Sequence, residues 1–308
     1  MKAVICARYG PPEVLRVAEV PKPVPGRGEI LIRVRATAVT ASDCIMRRGK
    51  ARFPMWLLMR AMIGFKRPRK TLGGVISGEI ESVGKGVARF KAGDAVFGIT
   101  GLAFGTYAEY ACLKESTRFA CLAAKPGNAT HEEAAAVPYG GLLALCFLKP
   151  AKISARRKVL VYGASGAIGT AAVQLARHFG AEVTGVCGMA NLELVRSLGA
   201  ARILDYTKQD SVPAGELYDL VFDAVGRRKS SKIKLACQNA LAPGGISVTV
   251  DDRIAKLDAE SLELLRTLME AGQYRAVIDR RYPLEEIVAA HRYVEEGHKK
   301  GNVVVTVG

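Results

Sequence analysis

The chain has 308 residues, 49% of them hydrophobic, which is enough for one large domain or two modest ones with a sizeable core. No apolar stretch reaches the roughly 18 residues of a membrane-spanning helix. The net charge of +16 is concentrated: between Cys44 and Gly78 stand nine basic residues and no acid.

In chain order, the first third reads as β-structure. Strand-like runs at Lys2–Cys6, Glu29–Ala38, Gly78–Val83 and Tyr107–Ala111 are punctuated by Pro and Gly, predicting a compact barrel-like domain. The opening Met1–Cys6 moves straight into this pattern without a signal peptide's apolar region, so a soluble cytoplasmic protein is the expectation. The basic block surrounds the apolar runs Phe53–Met59 and Ala61–Phe65. Such a segment suits a packed helix with a basic rim, the border of a cleft, or a membrane or nucleic-acid contact. The lack of an aromatic stacking surface counts against nucleic acid.

The pattern changes near Asn128. Thr130 and Glu133 have the spacing of a capping box. Strands then alternate with helices: strands at Lys158–Tyr162, Glu182–Cys187, Arg202–Leu204, Asp219–Asp223 and Gly245–Val250, and helices at Ala167–Phe179 and Asn191–Leu198. That alternation predicts a doubly wound parallel sheet. After Gly272 come a strand at Ala276–Asp279, a helix at Pro283–Glu296 and a last strand at Asn302–Val307. This tail is too short for a domain and must complete another one.

Residues 159–169 read V-L-V-Y-G-A-S-G-A-I-G, a strand entering a glycine turn and then a helix. Gly163 permits the turn, Gly166 lets backbone approach a pyrophosphate, and Gly169 lets the helix pack on the strand. The helix N-terminus offers free N–H groups to phosphates. Gly163, Ala164, Ser165, Gly166, Ala167, Ile168 and Gly169 are therefore the expected dinucleotide cradle. The second strand ends Val186-Cys187-Gly188-Met189, without the acid that holds an NAD ribose, which favours NADPH. Gly188, Asn191 and Tyr206 are candidates around the 2′-phosphate, as is Arg196, which reads equally well as an exposed helix residue. The seven cysteines are scattered and the four histidines lie outside ligand spacing from them, so the pattern predicts reduced thiols and no metal site.

The chain carries in order A-V-T-A-S-D at 38–43, V-G-K-G-V-A-R-F-K-A-G-D-A-V-F-G at 83–98, G-T-Y-A-E-Y at 105–110, E-A-A-A-V-P-Y-G-G at 133–141, D-L-V-F-D-A-V-G at 219–226 and the tail from Pro283. With the glycine turn, these collinear stretches resemble the medium-chain dehydrogenase/reductase superfamily over nearly the whole chain. The resemblance implies an α/β protein. A GroES-like β-rich catalytic domain would comprise residues 1–125 and 273–308, and a Rossmann NADP-binding domain residues 126–272. It points to the zinc-free quinone-oxidoreductase-like branch, because Thr40, Gly73-Gly74-Val75 and Ala136-Val137 stand where zinc alcohol dehydrogenases carry ligands. Zinc-free relatives often carry Asp at position 75, so Val75 carries no borrowed role.

The implied activity is NADPH-dependent hydride delivery to a small hydrophobic quinone or enone without metal. The resemblance places Thr40 and Asp43 at the cofactor cleft as candidate catalytic groups; the other readings are a satisfied turn hydroxyl for Thr40 and positioning of the adjacent backbone or the basic segment for Asp43. It adds Ala224 and Val225 to the cofactor-contacting set, Tyr139 either beside the nicotinamide ribose or as a cap of the inter-domain helix, and His298 and Asn302 either closing over the cofactor or packing the last strand. Alternatives are an alcohol or aldehyde reductase and a non-enzymatic NADPH-responsive binding protein. The short chain between Gly245 and Gly272 leaves no room for a sixth strand of the dinucleotide sheet, so a monomer or a dimer formed another way is expected.

Overall fold

The computed structural model describes residues 1–49, 57, 60, 61, 63–66, 68, 71–115, 120–227, 230–252 and 257–308. The basic apolar segment expected at the substrate entrance therefore lies largely outside the described residues. None of the described helices is long and apolar enough to cross a membrane.

β1 (Lys2–Cys6) and β2 (Leu15–Glu19) pair antiparallel, Lys2 opposite Glu19 and Cys6 opposite Leu15. β3 (Glu29–Val39), β4 (Val75–Val83), β5 (Ala95–Ile99), β6 (Tyr110–Lys114) and β7 (Cys121–Ala124) follow. The strand expected at Tyr107–Ala111 starts three residues later. Tyr107 and Ala108 bind β1 instead: Val4 N donates to Tyr107 O, and Ala3 bridges Ala108.

The helix Pro138–Leu148 leads into a five-stranded parallel sheet: β8 (Lys158–Tyr162), β9 (Glu182–Cys187), β10 (Arg202–Asp205), β11 (Tyr218–Asp223) and β12 (Leu241–Thr249), in spatial order β10-β9-β8-β11-β12. β12 is the last strand of that sheet among the described residues. The buried run Val159-Leu160-Val161 on β8 fits a strand covered on both faces.

The tail returns to the first domain. β13 (Ile278–Pro283) and β14 (Asn302–Thr306) extend the antiparallel sheet as β13-β14-β3-β4-β5-β7, with β6 paired to β3. β13 begins two residues later than expected, and the following helix opens as a 3₁₀ turn, Leu284–Glu286, before Ile287–Glu296, because Pro283 ends the strand instead of starting the helix. One apolar cluster joins the domains: Ala38 and Val304 share it with Val137, Leu145, Val161 and Ala172.

Candidate functional site

Sheet order places β8 beside β11, where the direction of winding reverses, and ligands of such sheets bind outside the carboxyl ends at that point. The glycine turn leaves β8 there. Gly163 and Ala164 both donate from backbone N to Val186 O at 3.0 Å. Gly163 has φ +78°, and a Cβ on it would fall 2.4 Å from Val225 Cγ2. A Cβ on Gly169 would fall 2.0 Å from Gly163 O, so this glycine is a packing requirement. Gly166 differs: the only neighbour of its Cβ direction is Gly163 O at 3.6 Å. It heads the helix Ala167–His178 with no side-chain cap, leaving the first-turn N–H groups that a helix cannot satisfy itself open to an anion. Ala164 and Ala167 are buried and Ile168 packs on the core, so these three could offer a ligand only backbone.

Around the end of β9, Gly188, Asn191, Tyr206 and Ser165 come together. Asn191 Nδ2 donates to Ser165 Oγ at 3.2 Å, its Oδ1 has no partner, and the Tyr206 hydroxyl lies 3.0 Å from where a Gly188 Cβ would be. Asp205 at the end of β10 is turned onto its own loop, accepting from Thr207 N at 2.9 Å and Thr207 Oγ1 at 2.7 Å. Arg196 is not part of this group; it pairs with exposed Glu193 at 2.5 Å, so its helix-surface reading holds.

The tail meets the turn through a residue the sequence did not single out. Gly301 N donates to Ser165 O at 2.8 Å, and Lys299 Nζ donates to Gly301 O at 2.5 Å. Burial pulls the Lys299 amine down to about 8. Asn302 ties the last strand to the preceding segment: its backbone N and Nδ2 both donate to Val277 O, at 2.8 and 3.1 Å. His298 is exposed. Ala224 N donates to Tyr162 O at 3.0 Å, while Val225 remains 38% exposed above Gly163. Tyr139 reaches across the domain junction, its hydroxyl 3.1 Å from Ser42 Oγ.

Thr40 and Asp43 form a closed capping box on the helix Ala41–Arg48. Thr40 N and Thr40 Oγ1 donate to Asp43 Oδ2 at 2.8 and 2.6 Å, and Thr40 Oγ1 accepts from Asp43 N at 3.3 Å. The single hydroxyl proton of Thr40 is therefore committed, and both side chains are buried. The geometry gives them the start of the helix that carries Ser42, the arrangement of a satisfied turn hydroxyl at Thr40 and of a carboxylate positioning adjacent backbone at Asp43.

Burial pushes the Asp43 carboxyl up to about 6, against the pull of its bonds from Thr40. A carboxyl raised in the fold holds its proton where the unfolded chain, near 3.9, has lost it. Its stability contribution is full below about pH 4 and is lost as pH climbs through 6. Between pH 4 and 7 we expect the wild type to lose about 2–3 kcal/mol relative to Asp43→Asn, read from urea midpoints. Parallel pH profiles for the two proteins would contradict this.

Among the described residues, no three His, Cys, Asp or Glu side chains are grouped to hold a metal ion. Zinc does not fit where Thr40, Val75 and Ala136-Val137 stand, since none of these side chains is a thiolate, imidazole or carboxylate.

Residues 26–140 match the alcohol dehydrogenase GroES-like domain, and residues 167–253 and 252–305 match two profiles described as zinc-binding dehydrogenase. The 2-methylene-furan-3-one reductase of Solanum lycopersicum is 31% identical, covering 99% of this chain and 79% of its own length. The chloroplastic NADPH-dependent alkenal/one oxidoreductase of Arabidopsis thaliana is 30% identical with the same coverage. The quinone oxidoreductase from Coxiella burnetii superposes with TM-score 0.88 at 28% identity, covering 100% of this chain and 99% of that one. A structure described as an NAD-dependent alcohol dehydrogenase superposes with TM-score 0.84 at 29% identity, covering 100% of each chain.

Proposed function

The chain belongs to the quinone-oxidoreductase-like branch of the medium-chain dehydrogenase/reductase superfamily, and from that membership we propose that it is an NADPH-dependent, metal-independent reductase of small hydrophobic quinones or α,β-unsaturated carbonyls. The observation that carries the cofactor reading is the open Cβ direction of Gly166 at a helix N-terminus, between two glycines whose own Cβ directions are blocked. When bound, NADPH supplies a hydride to an electron-poor carbon.

The chain's own groups do the rest. Backbone N–H groups at Ala167 and Ile168 hold the pyrophosphate, and Gly188, Asn191 and Tyr206 surround the 2′-phosphate, where no carboxylate ends β9 to repel it. Tyr139 and Ser42 line the junction where the reacting carbon sits; one of the two hydroxyls donates to the other, which is left to donate its own proton to the developing oxyanion. Thr40 and Asp43 fix Ser42 from behind. An activated alkene or quinone accepts hydride without a Lewis acid, which suits a site whose family-aligned positions carry no ligand side chains. The free thiols favour a reducing compartment such as the cytoplasm.

The test is NADPH oxidation against a panel of quinones, enones, aldehydes and alcohols, with and without a chelator. We expect turnover of quinones or enones, unchanged by chelation and faster with NADPH than NADH. Activity confined to alcohols and lost with the chelator would overturn the proposal.

A further inference from the structure

We propose that Lys234 is a positioning residue for the nicotinamide half of the cofactor site, acting through a buried ion pair with Asp223; this rests on reading the crevice as a dinucleotide site. Neither residue belongs to the glycine turn. Lys234 Nζ lies 2.8 Å from Asp223 Oδ2, with the two side chains 6% and 1% exposed. The same ammonium donates to Gly226 O at 2.6 Å. The other carboxylate oxygen of Asp223 accepts from Val225 N at 3.0 Å and Gly226 N at 3.2 Å, and Thr249 Oγ1 donates to Oδ2 at 3.2 Å. The turn 224–226 is thus clamped at both ends, its amides by the carboxylate and its last carbonyl by the ammonium.

A buried ion pair is weak as a source of stability, because desolvation offsets most of the Coulomb attraction and apolar residues of similar volume do as well. What it supplies here is geometry. Lys234 stands on the helix Lys232–Asn239, whose cap Ser231 accepts from Lys234 N at 3.2 Å and hydrogen-bonds the Tyr162 hydroxyl at 3.1 Å. The carboxyl ends of β8, β11 and β12 are therefore tied together through Tyr162, Asp223 and Thr249 at the place where the winding reverses. The part they hold still is Val225, whose exposed side chain faces Gly163 across the crevice. In a doubly wound sheet, the strands on either side of the reversal each serve one mononucleotide. β8, β9 and β10 carry the adenosine residues, which leaves the β11 turn to the nicotinamide.

The experiment compares binding of NADPH with that of 2′,5′-ADP, a probe lacking the nicotinamide, by fluorescence or calorimetry. The proteins are wild type, Lys234→Met and the double variant Asp223→Asn/Lys234→Met, which leaves no lone buried charge and so guards against misfolding. We expect NADPH to weaken tenfold or more in both variants and 2′,5′-ADP to change less than twofold. If wild type binds neither probe, the dinucleotide reading falls and this inference with it. If wild type binds both and the folded double variant holds NADPH equally well, or loses both probes alike, the cofactor reading stands and the role of Lys234 is overturned.

Discussion

Gly166→Val should leave a folded protein that has lost NADPH binding by about 100-fold or more, equivalent to ~2.7 kcal/mol. The backbone at Gly166 is extended, with φ −79° and ψ 176°, which any residue adopts. Its Cβ would make only an ordinary contact with Gly163 O at 3.6 Å. The fold should lose no more than about 1 kcal/mol, the difference between Gly and a branched residue at a helix cap. The methyl groups of the valine, however, occupy the space into which the pyrophosphate must come, and they shield the first-turn N–H groups. Gly169→Ala should fail in the opposite way. Its Cβ would lie 2.0 Å from Gly163 O and 2.8 Å from Ala164 Cα, both backbone atoms, so helix and strand must separate. Thermal melts together with NADPH titrations distinguish the two. An unfolded Gly166→Val, or a folded one that binds normally, would contradict the reading of this turn.

Glu295→Ala should cost about 3–5 kcal/mol, seen as a fall in Tm of roughly 10 °C. Arg47 has no exposed side-chain surface; its guanidinium donates to Gly10 O at 2.7 Å and is ion-paired to Glu295. Arg48 Nε also lies 2.8 Å from Glu295. Truncating the glutamate strands the Arg47 cation in the interior, where it can neither be hydrated nor lose its proton. The helix Ala41–Arg48, which carries the capping box and Ser42, is tied to the helix Ile287–Glu296 by this pair, so loosening should reach the cleft as well. The adjacent exposed Glu296, replaced by Ala, should change stability by less than about 0.5 kcal/mol. Equal Tm shifts for the two variants would sink the argument.

The glycine turn was readable because three glycines stand at fixed spacing between a strand and a helix; the steric demand on Gly169 is local, whereas Val225, which blocks a side chain on Gly163, is brought there only by the fold. Thr130 and Glu133 were readable because their capping box is closed within four residues. Thr40 and Asp43 have the same spacing and close the same kind of box on the helix that carries Ser42. The helix Pro138–Leu148 left little periodic signal, since apolar residues surround it and both domains bury it. Lys234 carried no signal at all. A lysine in a short helix reads as exposed, and only the fold brings it onto Asp223, eleven residues back. The contact of Gly301 with Ser165 is likewise a product of the tail crossing between domains.

The most direct test of the account repeats the reductase assay with NADPH deuterated at C4 of the nicotinamide, on chelator-treated protein, with an enone as acceptor. With the (4R)- and (4S)-deuterated isomers used in turn, one should place one deuterium on the β-carbon of the saturated ketone and the other none. Product without label from both isomers, or label that appears only when metal is restored, would contradict direct hydride delivery from a dinucleotide held at Gly163–Gly169.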